Sequence, residues 1–195
     1  VVEAEGGRPV FLAGFSLGGN FALRIAKRCV AHPIAGLRHI VAISPVLDPD
    51  KATDRIDDSR LILKYFLKKW RRSLGIKQRL FPERYDFSSV MAVDNIREMT
   101  ERLLARYSPY EGAEAYFRQY ALLGDDLREV AVPTTIITAA DDPIIPVEDF
   151  YDLTTSPATR LMIQPWGGHN GFLENWRLNG WYERVMDASF TDGHV

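Results

Sequence analysis

The stretch Pro9-Val-Phe-Leu-Ala-Gly-Phe-Ser-Leu-Gly-Gly-Asn20 decides the fold of this chain. Its apolar run, Val10 to Ala13, is typical of a fully buried strand, and an amphipathic helix pattern begins directly after the serine. Ser16 therefore stands on a sharp turn between a strand and a helix. We expect Gly14 and Gly18 to let the two elements approach each other without Cβ clashes. A serine held in this way presents its hydroxyl at the end of the sheet.

Other glycine-rich turns between a strand and a helix bind phosphates. The dinucleotide-binding fingerprint needs a glycine where Ser16 stands and an acid after the next strand, whereas the strand predicted at 38–44 ends in Ser-Pro. A P-loop is excluded because no Gly-Lys-Ser/Thr follows the turn. From this motif alone, a serine that only caps a helix stays open as an alternative.

Two later strand-like runs end in partners for a nucleophilic serine, which needs a base to take its proton and an acid to orient that base. The first run, 132–140, is followed by Asp141 and Asp142, and the second, 160–165, leads to His169. Taken singly, these residues fit a turn-forming aspartate and an ordinary loop histidine. Together with Ser16 they follow three strand ends in the order Ser, Asp, His.

Three segments together resemble the α/β-hydrolase superfamily, and most of all its YheT-like branch of esterase-type proteins: Gly14-Phe-Ser-Leu-Gly-Gly-Asn20, Ala140-Asp-Asp-Pro-Ile-Ile-Pro146 and Gly167-Gly-His-Asn-Gly-Phe172. The resemblance spans about 8–186. It implies that Ser16 is the nucleophile, His169 the general base and Asp142 the orienting acid. Asp142 is preferred to Asp141 because it stands in the family's spacing to Pro146.

The resemblance also implies an oxyanion site, for which the backbone N–H of Leu17 is the donor that this sequence supplies. In this fold several strands precede the serine turn, and a loop among them gives the second donor. Only residues 1–9 precede the first strand here. We therefore expect an N-terminal segment of the same fold outside this sequence, and a sheet edge that is open without it.

The chain is predicted to have an α/β fold, with a mostly parallel sheet built from 1–47 and 125–195 and a helical cap insertion at 48–124. We expect one cap helix to run from Arg60 to about Ser73 and to end at Gly75. A second should cover Ile96 to Tyr107. A third should begin at the capping box 108–111 and stop at Gly124. Such a cap covers the serine and shapes its pocket, and the alternative is that these helices are only scaffold.

The first cap helix is basic. Between Arg60 and Arg79 it contains eight lysines and arginines and no acid, interleaved with apolar and aromatic residues: Arg60, Lys64, Lys68, Lys69, Arg71, Arg72, Lys77 and Arg79 carry the charge. A helix of this kind can lie on an anionic membrane surface or steer an acidic lipid substrate. A solvated face beside the acid-rich segment 48–58 is the alternative.

Composition argues against several other classes of protein. At 195 residues and 46% hydrophobic content the chain can build one globular domain, and its net charge of −2 does not favour nucleic acid. No run reaches the ~20 apolar residues of a membrane span. The single cysteine, Cys29, is expected in the core. Its presence without a second cysteine is compatible with a reducing compartment, which favours the cytoplasm. A targeting or anchor segment before Val1 stays open as an alternative. The scattered histidines, His32, His39 and His194, predict no metal, and no cofactor is expected.

These observations predict a serine hydrolase that cleaves a carboxylic ester, including a lipid-like one, through an acyl-enzyme on Ser16. Its partner would be a small-molecule or lipid-like ester. An acyltransferase or thioesterase would use the same three residues. A non-catalytic relative that binds a small molecule or a partner is a further alternative, against which the presence of all three residues argues. A third alternative is a fragment that assembles with a missing N-terminal half and is inactive alone.

Overall fold

A parallel β-sheet organises the chain, as seen in a computed structural model that describes residues 8–191. Its four strands lie in the order β1-β2-β3-β4, and each pairs in parallel with the next. The strands are β1 (Val10–Phe15), β2 (Leu37–Ile43), β3 (Thr134–Ala139) and β4 (Thr159–Gln164). Because all four run the same way, their carboxyl ends share one edge of the sheet. The predicted α/β class is confirmed.

The two central strands form the interior of the sheet. β2 and β3 are rich in β-branched residues, and β3 is buried along its whole length. β1, in contrast, is only partly buried, so the prediction of a fully buried strand at Val10 to Ala13 was wrong. The reason is its position: within the described residues β1 pairs on one side only, with β2, and its other side is a sheet edge.

Eight helices connect or flank these strands within residues 8–191. In chain order they are α1 (Leu17–Arg28), α2 (Pro49–Asp58), α3 (Arg60–Leu80), α4 (Ser88–Met91), α5 (Ile96–Tyr107), α6 (Ala113–Arg118), α7 (Glu148–Tyr151) and α8 (Trp181–Thr191). Helix α1 joins β1 to β2 and buries Ala22, Leu23 and Ala26, with Cys29 buried just after its end. Helix α7 lies between β3 and β4.

One face of the sheet packs against the last helix, α8. The cluster on this face is made of buried side chains from β2 and β3 together with Phe172, and α8 covers it with half-buried aromatic and apolar residues: Trp181, Tyr182, Val185, Met186 and Phe190. Phe11 and Phe15 of β1 add ring contacts to Phe190 and Tyr182 at 5.0 and 5.3 Å between centroids. The last helix of the described chain thus packs on the same sheet that carries the serine turn.

The chain divides into two compact units, one formed by 1–48 with 121–195 and the other by Pro49–Tyr120. The second unit is all helical and contains α2 to α6. Asp57 at the end of α2 accepts hydrogen bonds from the first two backbone N–H groups of α5, and Arg97 reaches back to Asp50 and Asp54. The bounds of this unit are within four residues of the predicted insertion 48–124. Its role as a cap stays a prediction.

Three predicted helix boundaries in this part of the chain were wrong, one of them the predicted stop at Gly124, since α6 ends at Arg118. Helix α3 does not end at Gly75 but continues to Leu80, because Gly75 stays helical and a single glycine costs a helix only about 1 kcal/mol. The proposed capping box does not form. The hydroxyl of Ser108 accepts from the N–H of Tyr110, and α6 begins only at Ala113, whose N–H is bound by the carboxylate of Glu101 from α5. A contact from another helix thus sets the start of α6.

Candidate active site

Ser16 lies on the turn between β1 and α1 in a strained backbone conformation. Its φ of 52° and ψ of −120° fall in a region that side-chain-bearing residues rarely adopt. The surrounding backbone fixes this conformation: the N–H of Ser16 donates to the carbonyl of Ile43 on β2, and its own carbonyl accepts from the N–H groups of Asn20 and Val46. The serine side chain is therefore held at the carboxyl end of the sheet.

The glycines around the serine differ in how much space a side chain would have at each position. A Cβ on Gly14 would lie 2.2 Å from the carbonyl oxygen of Gly18, so this position tolerates no side chain. A Cβ on Gly19 would lie 3.0 Å from Pro45. A Cβ on Gly18 would meet nothing within 4 Å, so the expectation that Gly18 relieves a Cβ clash was wrong. Gly14 and Gly19 are the glycines on which the close packing of this turn depends.

His169 connects the serine to an aspartate. Its Nε2 lies 3.0 Å from Oγ of Ser16, and its Nδ1 lies 3.0 Å from Oδ2 of Asp142. Ser16 follows β1, Asp142 follows β3 and His169 follows β4, so the shared carboxyl edge of the parallel sheet brings them together. The three predicted residues are thus joined by two hydrogen bonds.

The buried carboxylate of Asp142 determines which nitrogen of His169 carries the proton. Its side chain is fully buried, and that of His169 is 18% exposed. An ionised carboxylate only accepts hydrogen bonds, so the proton of a neutral imidazole is on Nδ1. Nε2 then accepts the hydrogen bond from the hydroxyl of Ser16 and is the atom positioned to receive its proton.

Asp141 and Asp142 have different partners although they are neighbours in sequence. Oδ1 of Asp142 accepts from the N–H groups of Ile144 and Ile145 at 2.8 and 3.0 Å, which leaves Oδ2 for the histidine. Asp141 instead accepts from the N–H of Gly168, beside the histidine, at 2.8 Å. Sequence reasoning missed this contact of Asp141, for which the residue types alone give no signal.

The loop that carries His169 is a tight turn after β4. The N–H groups of Gly171 and Phe172 both donate to the carbonyl of Gly167 at 3.0 Å. A Cβ on Gly167 would lie 2.5 Å from the ring of Phe172, which is buried in the sheet core. The glycine thus allows Phe172 to anchor the loop, and the anchored loop holds the imidazole.

Leu17, the predicted oxyanion donor, is the first residue of α1. A backbone N–H in the first turn of a helix has no partner within that helix, and the helix dipole adds positive potential there. This N–H lies next to Ser16, at a helix N-terminus that stabilises a negative charge near the serine hydroxyl.

His39 does not take part in this arrangement. His39 lies on β2, where its Nε2 is 2.9 Å from the hydroxyl of Thr135, and burial lowers its pKa. His194 lies outside the described residues. Within residues 8–191 no group of three His, Cys, Asp or Glu side chains has the arrangement of a metal site. Likewise, no helix in that part of the chain has the length and apolar character needed to cross a membrane.

Comparison with known proteins agrees with the fold. A model described as "Alpha/beta hydrolase family" matches residues 1–178. The chain belongs to the alpha/beta hydrolase family. Two solved structures have a similar fold: a serine hydrolase of Cycloclasticus zankles and a meta-cleavage product hydrolase of Pseudomonas fluorescens IP01. Each has a TM-score of 0.55, at 18% and 16% identity, and they cover 98% and 99% of this chain and 67% and 68% of their own.

Relatives within the alpha/beta hydrolase family confirm the predicted resemblance to YheT. The chain is 28% identical over 176 residues to the protein named "Putative esterase YheT" of Escherichia coli (strain K12), covering 86% of this chain and 50% of that protein. An abhydrolase domain-containing protein of Dictyostelium discoideum is 26% identical over 181 residues, covering 90% and 45%. "Phospholipase ABHD3" of Mus musculus is 31% identical over 146 residues, covering 69% and 34%. The chain thus spans half the length of these relatives or less.

Proposed function

We propose that this protein is a serine hydrolase that cleaves carboxylic esters, with Ser16 as nucleophile, His169 as general base and acid, and Asp142 as the group that orients the histidine. The observation that carries the proposal is the continuous pair of 3.0 Å hydrogen bonds from Ser16 through His169 to Asp142. The strained backbone of Ser16 supports it, because such strain is concentrated at functional sites.

The reaction follows from the positions of these atoms. Oγ of Ser16 attacks the ester carbonyl carbon while Nε2 of His169 takes the hydroxyl proton. The negative charge moves to the carbonyl oxygen, where the N–H of Leu17 is the proposed donor. The loss of one such donor typically costs about 2.7–4 kcal/mol of transition-state stabilisation. The C–O bond then breaks, and His169 protonates the leaving alcohol.

Hydrolysis of the acyl-enzyme completes the cycle. His169 accepts a proton from water, the resulting hydroxide adds to the acyl carbon, and collapse of the tetrahedral species releases the acid. His169 then returns its proton to Oγ of Ser16. Asp142 remains ionised throughout and stabilises the imidazolium that forms in each half-reaction.

A direct test is hydrolysis of p-nitrophenyl esters of increasing acyl length by the wild type and by Ser16→Ala. We expect turnover by the wild type and a loss on the order of 10⁶-fold in the variant. Ser73→Ala, a change at an exposed serine of α3, should keep full activity. A preference for long acyl chains would indicate the lipid-like ester that the name of the murine phospholipase relative suggests.

The same experiment separates the alternatives. Faster turnover of the matching thioester would identify a thioesterase, and an acyl product formed on an added alcohol in preference to water would identify an acyltransferase. Activity that survives Ser16→Ala would contradict the assigned nucleophile. Absence of turnover together with ester binding would favour a non-catalytic relative.

A further inference from the structure

Helix α3 in the helical unit presents a face that is both cationic and apolar. Residues spaced three, four or seven apart share one side of a helix. On α3 this spacing aligns Leu61, Tyr65, Lys68, Lys69, Arg72 and Ile76, and all six are exposed. We call these six residues the outer face. Leu61 is 82% exposed, Tyr65 58% and Ile76 39%, which is unusual for apolar side chains lying together on one helix.

The opposite side of α3 accounts for the packing of the helix. Leu67 is buried there, and Arg71 uses its guanidinium to bind the carbonyls of Met91 and Val93 and the carboxylate of Asp94. Arg71 therefore has a structural role. The outer-face cations do not share it, because Lys68, Lys69 and Arg72 form no ion pair within residues 8–191.

The charge of the outer face is not neutralised along the helix. Between Arg60 and Phe81 there is no Asp or Glu, and the nearest acids in sequence are Asp58 before the helix and Glu83 after it. The 195-residue sequence has a net charge of −2, so the charge of this cationic stretch departs from the average of the chain. Lys69 lies over the ring of Tyr65 at 5.5 Å, which keeps one cation beside an outward-facing aromatic ring.

We propose that the outer face of α3 binds the surface of an anionic lipid bilayer. The cations would contact lipid phosphates and carboxylates, while Leu61, Tyr65 and Ile76 would enter the boundary between headgroups and acyl chains. The aliphatic side chains favour a lipid bilayer over a nucleic acid as the partner, because Leu61 and Ile76 would make no favourable contact with a nucleic-acid backbone. With its eight charges α3 lies along the membrane rather than across it.

Vesicle co-sedimentation tests this proposal with the chain as it stands. We expect binding to phosphatidylcholine vesicles that contain phosphatidylserine and little binding to phosphatidylcholine alone. Binding should weaken with salt, because the Debye length falls from about 10 Å at 0.1 M to about 3 Å at 1 M. The combined change of Lys68, Lys69 and Arg72 to Gln should weaken binding about 100-fold, since each cation near the surface contributes about 1 kcal/mol.

Two further variants make the outcome decisive. Changing Arg55, Arg102 and Arg118 to Gln removes the same charge from other helices of the unit and should leave binding unchanged. Leu61→Ser with Ile76→Ser keeps every charge and should weaken binding at least about tenfold. Circular dichroism and Tm show that each variant is folded. Binding lost equally in both charge variants, or unchanged by the two serine substitutions, would overturn the proposal.

The proposal is independent of the ester chemistry. Ser16→Ala should bind vesicles as well as the wild type does, because Ser16 lies in the sheet unit and contributes nothing to the outer face. Failure of ester hydrolysis and failure of membrane binding are thus separate results.

Discussion

At the scale of single residues, the adjacent aspartates Asp141 and Asp142 show how the account can be tested. Asp142 is fully buried and binds the imidazole, whereas Asp141 binds a backbone N–H beside it. Both lie within hydrogen-bond reach of the loop that carries His169. Their roles in the proposed reaction are nevertheless different, because only Asp142 can hold the proton on Nδ1.

Asp142→Asn should lower kcat for ester hydrolysis about 10⁴-fold, and Asp141→Asn less than about tenfold. In the first variant Oδ1 can still accept from Ile144 and Ile145, so the turn should persist, but the imidazole loses its ionised partner. Steady-state kinetics, with Tm as a check of folding, measures the difference. Equal losses in the two variants would contradict the assignment of Asp142.

The glycines of the serine turn give a second matched pair. Gly14→Ala should destabilise the protein by about 3 kcal/mol, because the added Cβ would lie 2.2 Å from the carbonyl oxygen of Gly18. Gly18→Ala adds a methyl group in open space at the second residue of α1 and should stabilise by up to about 1 kcal/mol. Urea unfolding measures both values, and a large destabilisation by Gly18→Ala would show that the packing of the turn is misassigned.

Part of this residue-scale picture follows from sequence. Ser16, His169 and the pair Asp141-Asp142 can be named from the ends of apolar runs, because parallel strands bring their carboxyl ends together. The choice of Asp142 over Asp141 comes from the resemblance to the α/β-hydrolase superfamily. The partner of Asp141 and the role of Gly19 cannot be named in this way. Both depend on which backbone groups approach them from distant parts of the chain, namely Gly168 and Pro45.

At the scale of elements, helix α3 shows where local signals fail. A glycine after a helical run predicts a helix end, yet Gly75 lies inside a 21-residue helix that continues to Leu80. Phe81 and Pro82 follow directly, and a proline cannot continue a helix. The start of α6 fails in the same way, because Glu101 from α5 replaces the predicted local cap. Local pattern thus identifies these helices better than it locates their ends.

Gly75→Ala tests the continuity of α3. The added Cβ would lie 3.7 Å from Nη1 of Arg79 and 3.9 Å from Sδ of Met91, which are ordinary contacts. Inside a continuous helix the change should raise the free energy of unfolding by up to about 1 kcal/mol. If a left-handed glycine ended the helix at this position, alanine would destabilise the protein instead. Chemical unfolding followed by circular dichroism distinguishes the two results.

At the scale of the whole molecule, the order of apolar runs predicts the architecture correctly. The sequence predicts two strand-like segments, an all-helical stretch and two more strand-like segments. In the structure the four strands form a parallel sheet, and the helical unit follows β2 and precedes β3 in the chain. The burial of β1 was mispredicted, because an apolar run does not reveal whether its strand is central or at an edge. The chain spans 50% of the length of its YheT relative. The activity of the whole protein is therefore a proposal, and measuring the reactivity of Ser16 tests it.

The central claim is that Ser16 is an activated nucleophile, and fluorophosphonate labelling followed by peptide mass spectrometry tests it most directly. The account predicts one adduct, on Ser16, which is absent in Ser16→Ala, strongly reduced in His169→Ala and unchanged in Ser73→Ala. A wild-type chain that is folded and yet unlabelled at Ser16, or labelled equally without His169, would contradict it.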